Sequence, residues 1–286
     1  MKLALVGVGL IGGSFAQAIR HVGMFERIVG FDSNADSLQR ALALGVIDQA
    51  AGSLAHAVDG ATLVMIATPV GSTRQVLRAI SPHLSHAAIT TDVGSVKASV
   101  VDAAREELGS SFARFVPGHP IAGSEGSGVE HATPELFRDK IFVTTAVSDT
   151  DPSALLTVES LWRAAGCRIE RMAADEHDQI FAAVSHLPHL LAFSLVAQIA
   201  NDADAERKFA MSGAGFRDFT RIAASSSAMW RDICLDNRAA LGRALREQRA
   251  LLEKIQRAVD DGDAHTLEGI FSKASINARN FPVMRG

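Results

Sequence analysis

The chain has 286 residues and a net charge of −4, with 48% hydrophobic and 21% charged residues, a size and balance that allow two ordinary domains, each with a core of its own. That charge leaves no electrostatic footprint for nucleic acid or an anionic membrane surface, and no uninterrupted apolar run approaches the roughly 18 residues of a membrane span. Two cysteines, Cys167 and Cys234, stand outside any ligand-like spacing, so neither a disulfide framework nor a thiolate metal site is expected, and a cytoplasmic protein with reduced thiols is.

The opening stretch, MKLALVGVGLIGGSFAQAIR, admits two readings. A basic residue, an apolar run from Leu3 to Gly13 and an Ala-Gln-Ala at 16–18 have the form of a secretory signal with its cleavage site. The same residues also spell a short buried strand (2–7), the G-x-G-x-x-G spacing of Gly7, Gly9 and Gly12, and a helix. In that second reading Gly7 makes the turn, Gly9 lets a pyrophosphate approach the backbone, and Gly12 lets the helix pack on its strand. Free N–H groups at the helix start would then face the phosphates. The spacing alone decides nothing, because glycine-rich apolar runs occur in signals and cores as well.

The next strand decides. Residues 27–34, RIVGFDSN, carry Asp32 twenty residues beyond Gly12, where a carboxylate accepts ribose hydroxyls and repels a 2′-phosphate. Ser33, Asn34 and Ala35 follow, with no Arg or Lys to receive such a phosphate, which favours NAD over NADP. A signal peptide has no need of that acid. The competing role for Asp32 is the N-cap of a helix beginning near Ala35.

Strands and helices then alternate: strand 61–69, helix 71–80, strand 87–95 and helix 96–108, followed by ARFVPGHP (113–120), an irregular glycine-rich stretch (121–137), strand 140–147, helix 153–166 and strand 168–172. This alternation implies an α/β, Rossmann-type doubly wound parallel sheet over residues 1–172, with ligands held outside the carboxyl ends of its strands. Thr68, Pro69, Gly94 and Ser95 fall at such ends and join Gly7, Gly9, Leu10, Ile11, Gly12, Asp32 and Ser33 around one crevice. From 173 to 286 the pattern is helical, with 175–200 strongly apolar and 229 to the end amphipathic. An all-α second domain follows, and its excess of apolar surface makes a dimer interface the expectation.

Three groups of residues could carry chemistry. His119, at a strand end in PGHPIAGSEGSG, would place an imidazole titrating near neutrality beside the crevice, suited to a proton transfer coupled to hydride transfer. Capping or surface exposure is its other reading. His186 and His189 in VSHLPHLLAF lie three apart on one helix face, with Pro188 bending the helix. Core histidines are the plainer alternative, and no third ligand supports a metal. Arg221, in the apolar context FTRIAA, needs an anion, either a substrate carboxylate or Asp218 three residues back.

In this order GVGLIGGS, Asp32, TDVGSVK, HPIAGSEGSG, SHLPH and FRDFTRIAASSSAMWRDI resemble prephenate dehydrogenase and its arogenate and cyclohexadienyl relatives of tyrosine biosynthesis, over nearly the whole chain. The resemblance implies NAD as cofactor, an N-terminal nucleotide-binding domain and a C-terminal helical domain that forms a homodimer. It also implies oxidative decarboxylation of prephenate or arogenate. His119 matches the catalytic histidine and Ser95 the serine beside it. Ser124, His186, His189 and Arg221 match substrate-binding positions, Glu125 and Asp218 acidic residues at the pocket entrance, and Trp230 an aromatic near the site. Where many relatives have Asp-Pro, this chain reads Ser225-Ser226-Ser227, so the start of the following helix needs another signal.

Overall fold

In the computed structural model, which describes residues 1–123 and 126–280, alternating apolar residues build a sheet buried on both faces. Strands β1 (Lys2–Val6), β2 (Arg27–Phe31), β3 (Gln49–Ala50), β4 (Leu63–Ile66), β5 (Ile89–Asp92) and β6 (Phe115–Val116) run parallel in the order β3-β2-β1-β4-β5-β6. Leu3 and Leu5 of β1 join Leu63 and Met65 of β4 in one core; Ala4 and Val6 join Val64 and Ile66 in another. This period of two is what a strand with both faces buried requires.

Each face is covered by its own helices. Those connecting the strands are α1 (Leu10–Arg20), α2 (Ala35–Ala43), α3 (Leu54–Val58), α4 (Thr73–Ile80) and α5 (Ala98–Leu108). Phe15 and Ile19 of α1 and Leu38 and Ala41 of α2 lie in the first core, whereas Val58 of α3, Leu77 and Ile80 of α4 and Val100 of α5 lie in the second. The sheet is therefore doubly wound, and the opening stretch is its central strand and first helix rather than a secretory signal.

The chain after β6 departs from a single sheet. Pro117 has no N–H to donate, and beyond it β7 (Gly118–Pro120) pairs antiparallel with β8 (Ile141–Thr144), which pairs parallel with β9 (Arg168–Arg171). His119 thus sits within a short strand of a second, three-stranded sheet, not in a loop. Between β8 and β9, α6 (Pro152–Ala164) supplies Trp162, fully buried, which stacks on Phe142 of β8 at 4.2 Å and meets Phe15 of α1 at 4.7 Å. That aromatic cluster locks the second sheet against α1. The two-residue strand β3 and the five-residue α3 have no counterpart in the sequence reading, being too short to set a period.

Helices α7 (Ala174–Phe181) and α8 (Leu187–Ala200) are continuous through a π-helical turn at Ala182–His186. The wider turn comes just before Pro188, whose missing N–H an α-helix could not use. By length and composition the 27-residue stretch Ala174–Ala200 is apolar enough to cross a membrane, although Ser185, His186, His189, Ser194 and Gln198 interrupt its apolar run. Helices α9 (Ala205–Ala210), α10 (Ala214–Thr220), α11 (Ser227–Asp236), α12 (Arg238–Asp260) and α13 (Ala264–Asn280) follow. Residues 172 and 173, where the sequence places the domain boundary, lie between β9 and α7.

The chain divides into two compact units, Met1–Arg238 and the remainder from Ala239. Taken by itself, the second is α12 and α13 joined by a turn at Gly262, whose φ of 66° suits glycine, with Asp263 accepting from the Thr266 N–H at 3.0 Å to cap α13.

Gly12 tests the packing of α1 on its strand. A Cβ there would run into the Gly7 carbonyl oxygen and lie 3.1 Å from the Leu5 side chain. Gly12→Ala is expected to cost about 2–3 kcal/mol through overpacking, read as a lowered midpoint in denaturant unfolding; an unchanged midpoint would show that the helix start adjusts freely.

Candidate active site

The carboxyl ends of β1, β4 and β5 bring three short segments together. After β1 the chain turns at Gly7, whose φ of 92° is left-handed and whose Cβ would lie 2.6 Å from the Ala67 carbonyl oxygen. Helix α1 then starts at Leu10 with Gly9 at its N-cap; no side chain caps it, and no acidic residue stands in its first turn. A Cβ at Gly9 would meet nothing within 4 Å. Unsatisfied N–H groups, a favourable dipole and open space at one spot suit an anionic pyrophosphate.

Asp32, just beyond β2, faces the same turn. Its Oδ2 accepts from the Val8 N–H at 3.0 Å and its Oδ1 from the Asn34 N–H at 2.9 Å, and each oxygen keeps a lone pair for a ribose hydroxyl. The N-cap of α2 is Asn34, whose side chain accepts from the Asp36 and Ser37 N–H groups, so the competing role for Asp32 falls to its neighbour. Thr68 keeps a buried Oγ1 without a hydrogen-bond partner at the end of β4.

A cleft of about 860 Å³ opens at these strand ends. Of the residues singled out from sequence, Gly9, Leu10 and Ile11 line it from the start of α1, Ser95 from the segment after β5 and His119 from β7. His189, Arg221 and Trp230 line it from the helices. Gly7, Gly12, Asp32, Ser33, Thr68, Pro69 and Gly94 lie outside its lining, as do His186 and Asp218. Asp218 is exposed on α10. Ser124 and Glu125 lie outside the described residues.

His119 is held by a network of buried polar groups that the sequence reading missed. Asp92, the last residue of β5, pairs with Lys97, and both are buried. The Lys97 Nζ also donates to the Gly118 carbonyl at 2.7 Å, while the Gly118 N–H donates to Asp92 Oδ1 at 3.0 Å. The residue before His119 is thereby fixed at both its backbone polar groups. A side chain at 118 would strike the Phe142 ring, so the position requires glycine.

The imidazole itself is fixed through α7. His119 Nδ1 lies 2.9 Å from His177 Nε2, His177 Nδ1 lies 2.8 Å from Asp178 Oδ1, and Asp178 accepts the Lys97 and Ala98 N–H groups at the start of α5, at 2.8 and 2.9 Å. Phe181 packs edge-on against His119, with ring centres 5.0 Å apart. Burial, reinforced by His177, Lys97 and His186, drives the His119 pKa well below its ordinary value, and burial lowers that of His177 against the opposing pull of Asp178. Burial thus favours the neutral form of both rings.

His186 and His189 share the indole of Trp230 but take different places. His189 stacks on it at 3.8 Å and hydrogen-bonds the Ser185 carbonyl through Nδ1 at 2.9 Å, which leaves its other nitrogen for the cleft. His186 is buried, accepts from Asn237 Nδ2 at 3.0 Å, and has its pKa lowered to about 4, chiefly by burial. Its surroundings make it a core histidine. Trp230, on α11, keeps its Nε1 buried without a hydrogen-bond partner. Ser226 starts that helix by accepting from the Met229 N–H at 3.3 Å, so the serine run supplies its own cap.

Family comparisons agree with this geometry. The prephenate dehydrogenase nucleotide-binding domain matches residues 15–171, and the prephenate dehydrogenase dimerization domain matches residues 173–273. The chain belongs to the prephenate dehydrogenase family. The dehydrogenase is 39% identical to prephenate dehydrogenase of Bacillus subtilis over 98% of this chain and 76% of that one. It is 35% identical to cyclohexadienyl dehydrogenase of Zymomonas mobilis over 91% and 90% of the two chains. Among solved structures, prephenate dehydrogenase from Aquifex aeolicus in complex with hydroxyphenyl propionate and NAD+ superposes with a TM-score of 0.89 at 37% identity, covering 98% of this chain and 97% of that one.

Within the dehydrogenase, Lys97→Met should strip Asp92 of its buried counter-charge and cost about 3–5 kcal/mol. Denaturant unfolding measures this directly; a loss below about 0.5 kcal/mol would mean that the Gly94 and Gly118 N–H groups suffice for that carboxylate.

Proposed function

We propose that this dehydrogenase converts prephenate to 4-hydroxyphenylpyruvate by NAD-dependent oxidative decarboxylation, with arogenate, which would give tyrosine, as a second substrate. One observation carries the reading: a single cleft holds the uncapped start of α1, the neutral imidazole of His119 and the guanidinium of Arg221. Those are an anion site for a dinucleotide, a base and a receptor for a carboxylate. The name of the Zymomonas relative supports acceptance of both cyclohexadienyl substrates.

The N–H groups of the first turn of α1 would hold the pyrophosphate of NAD, and Asp32 the adenosine ribose. When bound, NAD supplies the acceptor for the hydride that leaves the ring carbon bearing the 4-hydroxyl. The chain's own residues prepare that step. His119 accepts a hydrogen bond from the hydroxyl and takes its proton as the ring loses carbon dioxide and becomes aromatic; Ser95, on the same cleft, holds the hydroxyl beside it. Arg221 captures a substrate carboxylate, and His189, whose charged form burial disfavours, offers a neutral hydrogen bond. Because aromatisation drives the reaction, the protein mainly positions and polarises.

Asp218, exposed on α10, and Glu125 match acidic residues at the family's pocket entrance and would screen entry. We further infer a homodimer through the C-terminal helices, supported by the dimerization-domain match and by the exposed Val184, Leu251, Leu252, Phe271 and Ile276. Cytoplasmic location is supported by two free thiols, Cys167 and Cys234.

Reduction of NAD with prephenate and with arogenate, followed by NADH absorbance, tests the reading; no turnover with either substrate would reject it. His119→Asn should lower kcat by about 10²–10⁴-fold while leaving NAD affinity unchanged. Arg221→Ala should raise KM by roughly two orders of magnitude with a smaller change in kcat. Because burial holds the His119 imidazole neutral, activity should persist as pH falls below the ordinary histidine value of 6.5 and disappear only when the ring is finally protonated. An acid limb of kcat/KM at or above 6.5 would contradict that environment.

A further inference from the structure

The hydrogen bonds around Asp178 constrain the proton positions on both His177 and His119. The carboxylate already accepts two backbone N–H groups, from Lys97 to Oδ1 and from Ala98 to Oδ2, at the first turn of α5. Oδ1 also faces His177 Nδ1 at 2.8 Å, so that nitrogen must donate. A neutral His177 then presents Nε2 as a bare acceptor, and the atom 2.9 Å from it is His119 Nδ1, which must in turn donate. A neutral His119 with its proton on Nδ1 has one acceptor left, Nε2.

We propose that His177 and Asp178 form a positioning dyad that fixes His119 as its Nδ1–H tautomer and reserves its Nε2 for the proton of the substrate hydroxyl. The inference rests on the reading of His119 as the base and specifies how the fold makes it one. His177 is fully buried and its ring is clamped by Phe181 at 4.5 Å, so the dyad offers one orientation. The charged and titratable groups that face His119 are His177, Lys97 and His186, with Asp178 and Asp92 one contact further back. Of these, only His177 bonds the imidazole. When Nε2 takes up the proton, the Nδ1–H remains directed at a neutral acceptor whose far side is bonded to a carboxylate, so the imidazolium keeps its hydrogen-bond partner.

His186 supplies an internal contrast. Asn237 Nδ2 donates to the Asp178 main-chain carbonyl at 2.8 Å and to His186 Nδ1 at 3.0 Å, so His186 carries its proton on Nε2, the opposite tautomer, and bonds no other ring. The two histidines are therefore distinguishable by spectroscopy.

The test is long-range ¹H–¹⁵N correlation of imidazole nitrogens in the intact protein at neutral pH, with the His119 signals assigned by their loss in His119→Asn. The dyad predicts a protonated Nδ1 and an unprotonated Nε2 for both His119 and His177. A proton on His119 Nε2 in the wild-type protein would overturn it, whatever the activity. In His177→Phe the dyad predicts loss of the fixed Nδ1–H form together with a kcat about 10- to 1000-fold lower and unchanged NAD affinity; a fixed Nδ1–H form and wild-type kcat in that variant would overturn it as well. Because the tautomer is read without substrate, absence of turnover on prephenate and arogenate would count against the proposed reaction and not against the dyad.

Discussion

The Asp92 carboxylate ends the fifth strand of the parallel sheet at 1% exposure, and the manner of its compensation sets the position of nearly everything at the site. A charge so placed costs several kcal/mol unless it is paired and its lone pairs are filled. Lys97 provides the pairing, and the Gly94 and Gly118 N–H groups fill two further directions. Since Lys97 also takes the Gly118 carbonyl, the start of the second sheet is pinned to the end of the first, and the next residue along is His119. Mispositioning this pair would displace the imidazole even if no residue touching the cleft had changed.

The same economy of donors and acceptors continues outward. The start of α5, whose N–H groups would otherwise be unsatisfied, binds Asp178; Asp178 binds His177; His177 binds His119. Backbone dipole, carboxylate and two neutral rings thus form one line ending at the cleft. On the helical side, Trp230 stacks with His189 and is backed by His186, so that a single indole braces the segment carrying both histidines. His186 closes the π turn and His189 follows in the first turn of α8, leaving one ring in the core and the other on the cleft.

Residues whose role follows from local chemistry were legible in the sequence. Gly7 and Gly12 were assigned to a turn and to close packing from spacing alone, and the left-handed φ of the first and the crowding at the second have those causes. The parallel sheet was legible because its strands repeat with helices between them. What remained hidden depends on long-range pairing. His177 and Asp178 head an apolar helix, where acidic residues ordinarily favour the N-terminus, and nothing in their spacing says that they meet a residue 58 positions away. Lys97 reads as the first polar residue of a helix and is fully buried. The second sheet was hidden by Pro117, whose effect is to end one strand and let the chain pair elsewhere. Ser226 could have been found from sequence, since a serine three residues ahead of Met229 in a serine run is an N-cap signal.

The central claim is that a neutral imidazole at position 119, set by these buried charges, removes the hydroxyl proton as hydride leaves the same ring carbon. The most direct measurement is the primary deuterium isotope effect on kcat/KM, using prephenate labelled at the hydroxyl-bearing carbon, in the wild-type protein and in His119→Asn. A normal effect that reaches its full size in the slow variant is the predicted result, because loss of the base would leave hydride transfer as the slow step. A variant that is slow yet shows no isotope effect would mean that His119 governs some other step, and would contradict the account.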